Sequence, residues 1–363
     1  MRLVSVEMLK PDMKLVFPLY HENTLVMPAG RDHIEKYCIN LEHMGIRYVY
    51  IEDKLSEGIE VPDVLDLETR TQCKGILKRV MDHYHTTSIF KIRELTSCVD
   101  DMIKDILRNK DMMLSLNDYA PINEYTYLHS VNVTVYALLM GEALGYPIPV
   151  LRELALGAIL HDIGKTVMDL GSQEKEGILT EAEYNLMKKH AEYGYEILEG
   201  VGDLSKRARE IAWMHHEKLD GTGYPQGLQE EAIPIFAQIV CIADVYDALT
   251  SDRCYRDKWP AVTAMKYLQE HAGTEFSQEL VDLFFQKIAV YPNGSLVRLS
   301  TGMFGIIMEQ SKNLPLQPIV RVCYDKSMKE IEPFELDLSN IKWAKISQSE
   351  LELSWNKKHL PRV

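Results

Sequence analysis

Five histidines and two aspartates lie in otherwise apolar stretches in the middle of this 363-residue chain. His161 follows Leu151, Leu154 and Ala158 at helical spacing, and Asp162 comes next, so His161 is predicted to face inward from a helix. A lone buried histidine more often indicates a structural hydrogen bond than a metal. Burial of an adjacent carboxylate is costly unless a cation or several donors balance it. The pair therefore indicates a metal site.

The other members of the set occur in similar helical surroundings, and they are His129, His190, His215, His216 and Asp244. His190 shares a predicted helix face with Leu186 and Ile197, and His215 shares one with Ile211. Projection from several helices into one interior favours a metal cluster over seven unrelated structural polar residues.

This donor set also predicts a class of reaction. Imidazole and carboxylate ligands without cysteine suit iron, manganese, nickel or zinc, and the supply is enough for two ions. A carboxylate such as Asp162 could bridge the two metals, and a hydroxide held between them would attack a phosphate ester. Lys165, four residues after His161, is positioned to neutralise charge on a phosphoryl oxygen. An ordinary exposed lysine is the alternative interpretation of Lys165.

The region before this set predicts a small accessory module and a helical connection. Residues 1–62 are predicted to form an α+β module with two short strands, a helix over 32–43 and a strand over 47–51. In the connection, residues 63–117, one or two long helices are predicted over 67–113. Such helices commonly join a regulatory module to an enzyme or to a second copy of the chain. A homodimer and simple packing on the next domain are both open.

The rest of the chain divides into a helical part and a β-rich part. Residues 118–290 read as a succession of helices, with a capping box at Thr180 and Glu183. Residues 291–363 show period-two alternation interrupted by Gly and Asn, which predicts a small antiparallel sheet or barrel. The predicted fold class is therefore mainly α, a helical bundle core with a small module at each end.

Composition excludes several classes of function. A net charge of −14 repels polyanions, so broad nucleic-acid binding is not expected and an anionic substrate would need local positive charge. The sequence contains no apolar stretch of about 18 residues, so membrane insertion is not expected. The cysteines occur without a CxxC pair, which argues against a disulfide framework or zinc ribbon and favours a reducing compartment, hence the cytoplasm. They are Cys38, Cys73, Cys98, Cys241, Cys254 and Cys323.

Two motifs together resemble the HD-GYP subfamily of HD-domain hydrolases. They are the His161–Asp162 dyad and the run HHEKLDGTGYP at 215–225, and the resemblance covers about residues 125–290. The combination is far more specific than a bare HD dipeptide. It implies an all-helical HD-domain bundle with a metal centre in a bacterial signalling phosphodiesterase. The implied substrate is a cyclic dinucleotide, cyclic di-GMP first and cyclic GMP-AMP second, with linear pGpG, GMP or both as products.

The resemblance also implies roles for individual residues. The implied metal ligands are His129, His161, Asp162, His190, His215, His216 and Asp244. Lys165 matches the family's phosphate-contacting lysine, and Arg253 and Arg256 match basic residues near the dinucleotide phosphates. The implied substrate-binding loop contains Gly223, Tyr224 and Pro225, and the same loop is associated in the family with docking of GGDEF-type cyclase domains.

This sequence departs from the family pattern at three places. Cys254 replaces a usual proline, and the run TVMDLGSQEKEG replaces an isoleucine-proline element after DIGK. Some members hold a third ion through an acidic residue four positions before the first histidine ligand, where this chain has Tyr125. Glu124 next to it should face elsewhere on a helix. Two metals, iron or manganese first, are therefore expected, with Asp247 as an acceptor for a ligand histidine.

Two other functions remain open at this point. Another HD-type nucleotide phosphohydrolase would share the dyad, but it would not require the complete HHExxDGxGYP segment. A catalytically weak scaffold that senses a nucleotide or docks a cyclase would be favoured by loss of ligands, and the sequence has lost none of them.

Overall fold

The computed structural model describes residues 1–21, 24–110, 112–113, 125–168, 180–251, 259–311 and 314–349, and its main core is helical. Mainly α is therefore the observed class, with small sheets near both ends of the described chain. The predicted boundary near residue 117 lies outside the described residues. Within the described part, no helix is both long and apolar enough to cross a membrane.

The first module is built on short antiparallel strands. Strands β1 (Arg2–Ser5), β5 (Tyr48–Glu52) and β2 (Lys14–Leu15) form a sheet in that order, and β3 (Leu19–His21) pairs with β4 (Thr24–Met27). The predicted helix over 32–43 is shorter than expected. Its first part is a 3-10 helix, and α1 (Cys38–His43) begins only after it, because the left-handed backbone of His33 interrupts a regular start.

Two long helices follow, in agreement with the prediction for residues 67–113. They are α2 (Leu67–Thr87) and α3 (Ile92–Arg108), which pack on each other and on the main core. A disulfide joins Cys73 to Cys98, which corrects the expectation drawn from the absence of a CxxC pair. The two cysteines are 25 residues apart, and their proximity arises only from the pairing of the helices.

The main core consists of helices packed around α4 (Tyr125–Ala143), which contacts α5 (Ile148–Ile159) and α9 (Ile235–Thr250) along its length. The remaining helices are α6 (Glu181–Lys188), α7 (His190–Glu199), α8 (Lys206–Met214), α10 (Ala261–Glu270) and α11 (Gln278–Lys287). The predicted capping box at Thr180 and Glu183 is confirmed at the start of α6. It fixes where α6 begins.

A five-stranded antiparallel sheet follows the helices, as the alternation predicts. Its order is β10 (Ile346–Ser349), β6 (Leu296–Leu299), β7 (Phe304–Glu309), β8 (Ile319–Tyr324) and β9 (Glu330–Asp337). This sheet packs against the end of the first module, where Leu55 and Ile59 join Ile306 and Tyr324 in one apolar cluster. The two flanking modules are therefore in contact with each other.

Candidate metal centre

All seven predicted ligand residues reach one region of the helical core. Donor atoms of Asp162, His190, His215 and His216 lie within 4.8 Å of one another, and so do those of His129, His161 and Asp162. Asp162 belongs to both groups, which is the arrangement expected of a carboxylate between two ions. Asp244 completes the region, with Oδ1 at 3.0 Å from His129 Nε2 and Oδ2 at 3.6 Å from His216 Nδ1.

The helical positions predicted for three of these histidines are wrong. Helix α5 ends at Ile159, so His161 lies in the turn that follows rather than on a helix face. His215 and His216 likewise follow the end of α8. His190 opens α7, and the single helix predicted through it is broken at Lys189.

Three of these histidines contact backbone carbonyl groups near the ends of helices. Ala158 O lies 2.7 Å from His161 Nδ1, and Met187 O lies 2.7 Å from His190 Nδ1. His215 Nδ1 lies 3.0 Å from Ile211 O. Because a carbonyl oxygen only accepts, each Nδ1 carries the proton and each Nε2 is free to bind a cation.

Two buried polar atoms of the cluster indicate that the site fits a divalent metal. Buried His161 Nε2 and Asp162 Oδ1 have no hydrogen-bond partner among the described residues, although buried polar atoms in folded proteins normally have one. A cation between them would satisfy both.

The protonation states agree with this fit. Burial lowers the pKa of His190 to about 4 and that of His216 to about 3, so both rings are neutral at pH 7. Although burial opposes ionisation, Lys165 and His161 hold the pKa of Asp162 well below its usual range. Neutral imidazoles and an ionised carboxylate are the forms that bind metals.

His129 differs from the other histidines. Burial favours its neutral form, but hydrogen bonds to Asp244 and Asp247 outweigh that and raise its pKa to about 9. Its Nδ1 lies 2.7 Å from Asp247 Oδ2, so the predicted contact of Asp247 with a histidine of the cluster is present, while the ligand role of His129 stays a prediction. To act as a ligand, His129 has to release the proton on Nε2.

Lys165 and the GYP loop border this cluster. Lys165 Nζ lies 2.5 Å from Asp162 Oδ2, and the side chain is about one quarter exposed. Gly223 packs so closely that a Cβ there would lie 2.5 Å from His216 O, which leaves no room for a larger residue. The ring of Tyr224 stacks on His216 at 4.6 Å. Pro225 directly follows it in the loop.

Several predicted features fall outside the described residues. Arg253, Arg256 and Cys254 are among them, and so are Glu124 and most of the run TVMDLGSQEKEG. For Tyr125 the structure describes the backbone, at the start of α4, and not the side chain.

Glu217 is a residue that the sequence analysis missed. It is almost fully buried and accepts hydrogen bonds from the backbone N–H groups of Gln226 at 2.7 Å and Leu228 at 2.9 Å. These bonds hold the GYP loop against the histidine pair. Its position directly after His216 could have indicated a structural role, because an acidic residue that is buried there needs hydrogen-bond partners.

A second missed feature is a buried chain of hydrogen bonds that begins on α2. Arg70 donates to both carboxylate oxygens of Asp63 at 2.9 Å and to Asn132 Oδ1 at 2.9 Å. Asn132 donates to Asp247 Oδ1 at 3.0 Å, and Asp247 in turn accepts from His129. A residue of the helical connection thus orients a side chain of the metal centre.

Comparison with known proteins agrees with this geometry. The sequence model of the HD domain matches residues 101–280. The chain belongs to the HD domain family, and the predicted HD-GYP relationship is confirmed. This HD domain chain is 36% identical over 231 residues to a cyclic di-GMP phosphodiesterase of Pseudomonas aeruginosa. The aligned region covers 64% of the chain and 56% of the relative.

Two other relatives extend the comparison. A cyclic di-GMP phosphodiesterase of Thermotoga maritima is 33% identical over 71% of this HD domain chain and 66% of its own length. A 3'3'-cGAMP-specific phosphodiesterase of Vibrio cholerae is 43% identical over 35% of the chain and 24% of its own length. The chain thus spans less than two thirds of the length of each relative.

We predict that Asp162→Ala removes most of the bound metal, and with it any metal-dependent activity, because both groups of donors share this carboxylate. Metal content by mass spectrometry after anaerobic purification measures the effect. Asp203→Ala, which removes an exposed carboxylate from the same domain, is the control. Full metal content and full activity in the Asp162 variant would refute the assignment.

We also predict that Arg70→Met weakens metal binding by about tenfold, since loss of an outer partner typically costs 10- to 100-fold in metal affinity and Arg70 acts through Asn132 and Asp247. Competition with a metal chelator measures the affinity. Arg79→Met, an exposed substitution on the same helix, controls for altered charge on α2. Equal metal affinities in the two variants would mean that Arg70 contributes to packing and not to the metal centre.

Proposed function

We propose that the chain is a metal-dependent phosphodiesterase that hydrolyses a cyclic dinucleotide, cyclic di-GMP first, to linear pGpG, GMP or both. The observation that carries this proposal is the sharing of Asp162 between two groups of metal donors in one buried site. The names of the relatives from Pseudomonas aeruginosa and Thermotoga maritima support the substrate. The relative from Vibrio cholerae makes cyclic GMP-AMP the competing substrate.

The proposed ligands are His129, His161, Asp162, His190, His215, His216 and Asp244, and they would hold two divalent transition-metal ions. Iron or manganese is proposed first, with nickel or zinc as alternatives, because the donors are imidazole and carboxylate. Divalent ions at such a site lower the pKa of water and polarise a phosphoryl oxygen.

The protein contributes orientation and charge to this chemistry. The carbonyl groups at the helix ends fix the imidazole rings, and Asp247 fixes His129. Lys165 lies beside Asp162, where its ammonium group can stabilise negative charge that develops on a phosphoryl oxygen. Because the donors are positioned before substrate binds, little reorganisation is needed during the reaction.

Binding of the dinucleotide is proposed to use the GYP loop, Gly223, Tyr224 and Pro225, together with Arg253 and Arg256. Guanidinium groups bind phosphates with paired hydrogen bonds, which an acidic protein needs for an anionic substrate. We further propose a cytoplasmic location, docking of GGDEF-type cyclase domains at the GYP loop, and a homodimer through residues 67–113. The proposed domains are 1–62, 63–117, 118–290 and 291–363.

Anaerobic purification, followed by metal analysis and chromatography of the products, tests the function. We expect metal-dependent conversion of cyclic di-GMP to a linear product, with slower conversion of cyclic GMP-AMP under the same conditions. Metal-loaded protein that cleaves neither substrate, yet releases phosphate from a nucleoside triphosphate, would instead favour another HD-type phosphohydrolase.

For Lys165→Ala we predict a fall in kcat of about a hundredfold or more with metal content retained, because a lost charge-stabilising donor typically costs that much. Steady-state kinetics and metal analysis of the same preparation measure both quantities. Lys206→Ala, an exposed change on α8, is the control. Metal loss in the Lys165 variant would mean that the lysine supports the site rather than the reaction.

A further inference from the structure

A cation at the end of α6 lies next to the GYP loop. Lys188 Nζ lies 4.5 Å from the ring centroid of Tyr184 and 5.5 Å from that of Tyr224. Both distances fall within the range of about 6 Å in which an aromatic face attracts a cation. The ammonium group of Lys188 is therefore held by two tyrosine rings.

Tyr224 connects this cation to the metal centre. Its ring stacks on His216, and its centroid lies 6.3 Å from that of His190 in an edge-to-face arrangement. Lys188 is also only two residues before His190 in the chain. One aromatic ring thus separates the ammonium group from the proposed ligands.

Among the described residues, Lys188 differs from the other lysines near the site because it has no carboxylate partner. Lys165 pairs with Asp162, and Lys218 pairs with Glu275. In the part of the chain that the structure describes, Lys188 forms no ion pair, although the chain carries a net charge of −14. Its positive charge is therefore available to an anion.

Exposure of the neighbouring ring supports a binding role. Tyr184 is 47% exposed, although a large aromatic side chain gains free energy when it is buried. Because the backbone of α6 begins at a capping box on Thr180, the positions of Tyr184 and Lys188 on this helix are fixed. The result is a rim with one cation and two aromatic faces beside the metal centre.

We propose that Lys188 binds the second phosphate of the cyclic dinucleotide, with Tyr184 and Tyr224 holding its ammonium group. The proposal rests on the function proposed above. A cyclic dinucleotide contains two phosphodiester groups, and only one of them can lie at the metal centre for cleavage. The other lies away from the metals, where Lys188 would add a cation to those proposed at Arg253 and Arg256, because an unpaired phosphate is poorly accommodated by an acidic protein.

The test compares a substrate with two phosphates and a substrate with one. For Lys188→Ala we expect KM for cyclic di-GMP to rise about tenfold, as loss of a charged hydrogen bond predicts, with kcat changed much less. Hydrolysis of bis(p-nitrophenyl) phosphate, which has a single phosphodiester, should be unchanged. Lys188→Arg keeps the charge and should restore most of the affinity. Lys189→Ala removes the same charge from the next, exposed position and is the matched control.

A second measurement does not depend on catalysis. Equilibrium binding of cyclic di-GMP to chelator-treated protein should weaken by a similar factor in Lys188→Ala and not in Lys189→Ala. Equal losses with both substrates, or unchanged binding and KM, would overturn the assignment of Lys188. If the wild-type protein cleaves bis(p-nitrophenyl) phosphate but neither binds nor cleaves a cyclic dinucleotide, the proposed function itself fails, and the assignment fails with it.

Discussion

A carboxylate at the centre of a helical core has to be balanced by positive charge, and the surroundings of Asp162 follow from that requirement. Only 2% of its surface is exposed, and one of its oxygens lacks a hydrogen-bond partner in the described structure. Lys165 balances the other oxygen from the rim. Without further positive charge the cluster would be costly to bury, so the site is organised for bound cations.

Most of the histidines around Asp162 occur at helix ends, and three of them are fixed in a common way. Near the helix ends, backbone carbonyl groups fix the rings of His161, His190 and His215 through Nδ1, which leaves Nε2 of each ring for the core. His129, which does lie inside α4, depends instead on a side-chain acceptor, Asp247.

The sequence was sufficient for the composition of the site and insufficient for its local geometry. Residue types and the HD and GYP motifs led to the seven residues that the fold brings together, because buried charge is costly and its pattern is visible in sequence. The end of α5 at Ile159 was missed, since apolar spacing continues through the turn to His161. The Cys73–Cys98 disulfide was missed because it depends on how α2 packs against α3. Arg70 was missed for the same reason, as its contact with Asn132 is long-range.

The contact between Arg70 and Asn132 has a consequence for how such chains can be recombined. The match to the HD domain covers residues 101–280, so Arg70 lies outside it, whereas Asn132 lies inside. A graft of the matched segment onto a different accessory module would leave a buried amide oxygen without its guanidinium donor. Exchange of modules at this junction is therefore restricted to modules that bring an equivalent donor. Helix α2, although it lies before the matched segment, has to be kept together with the HD domain.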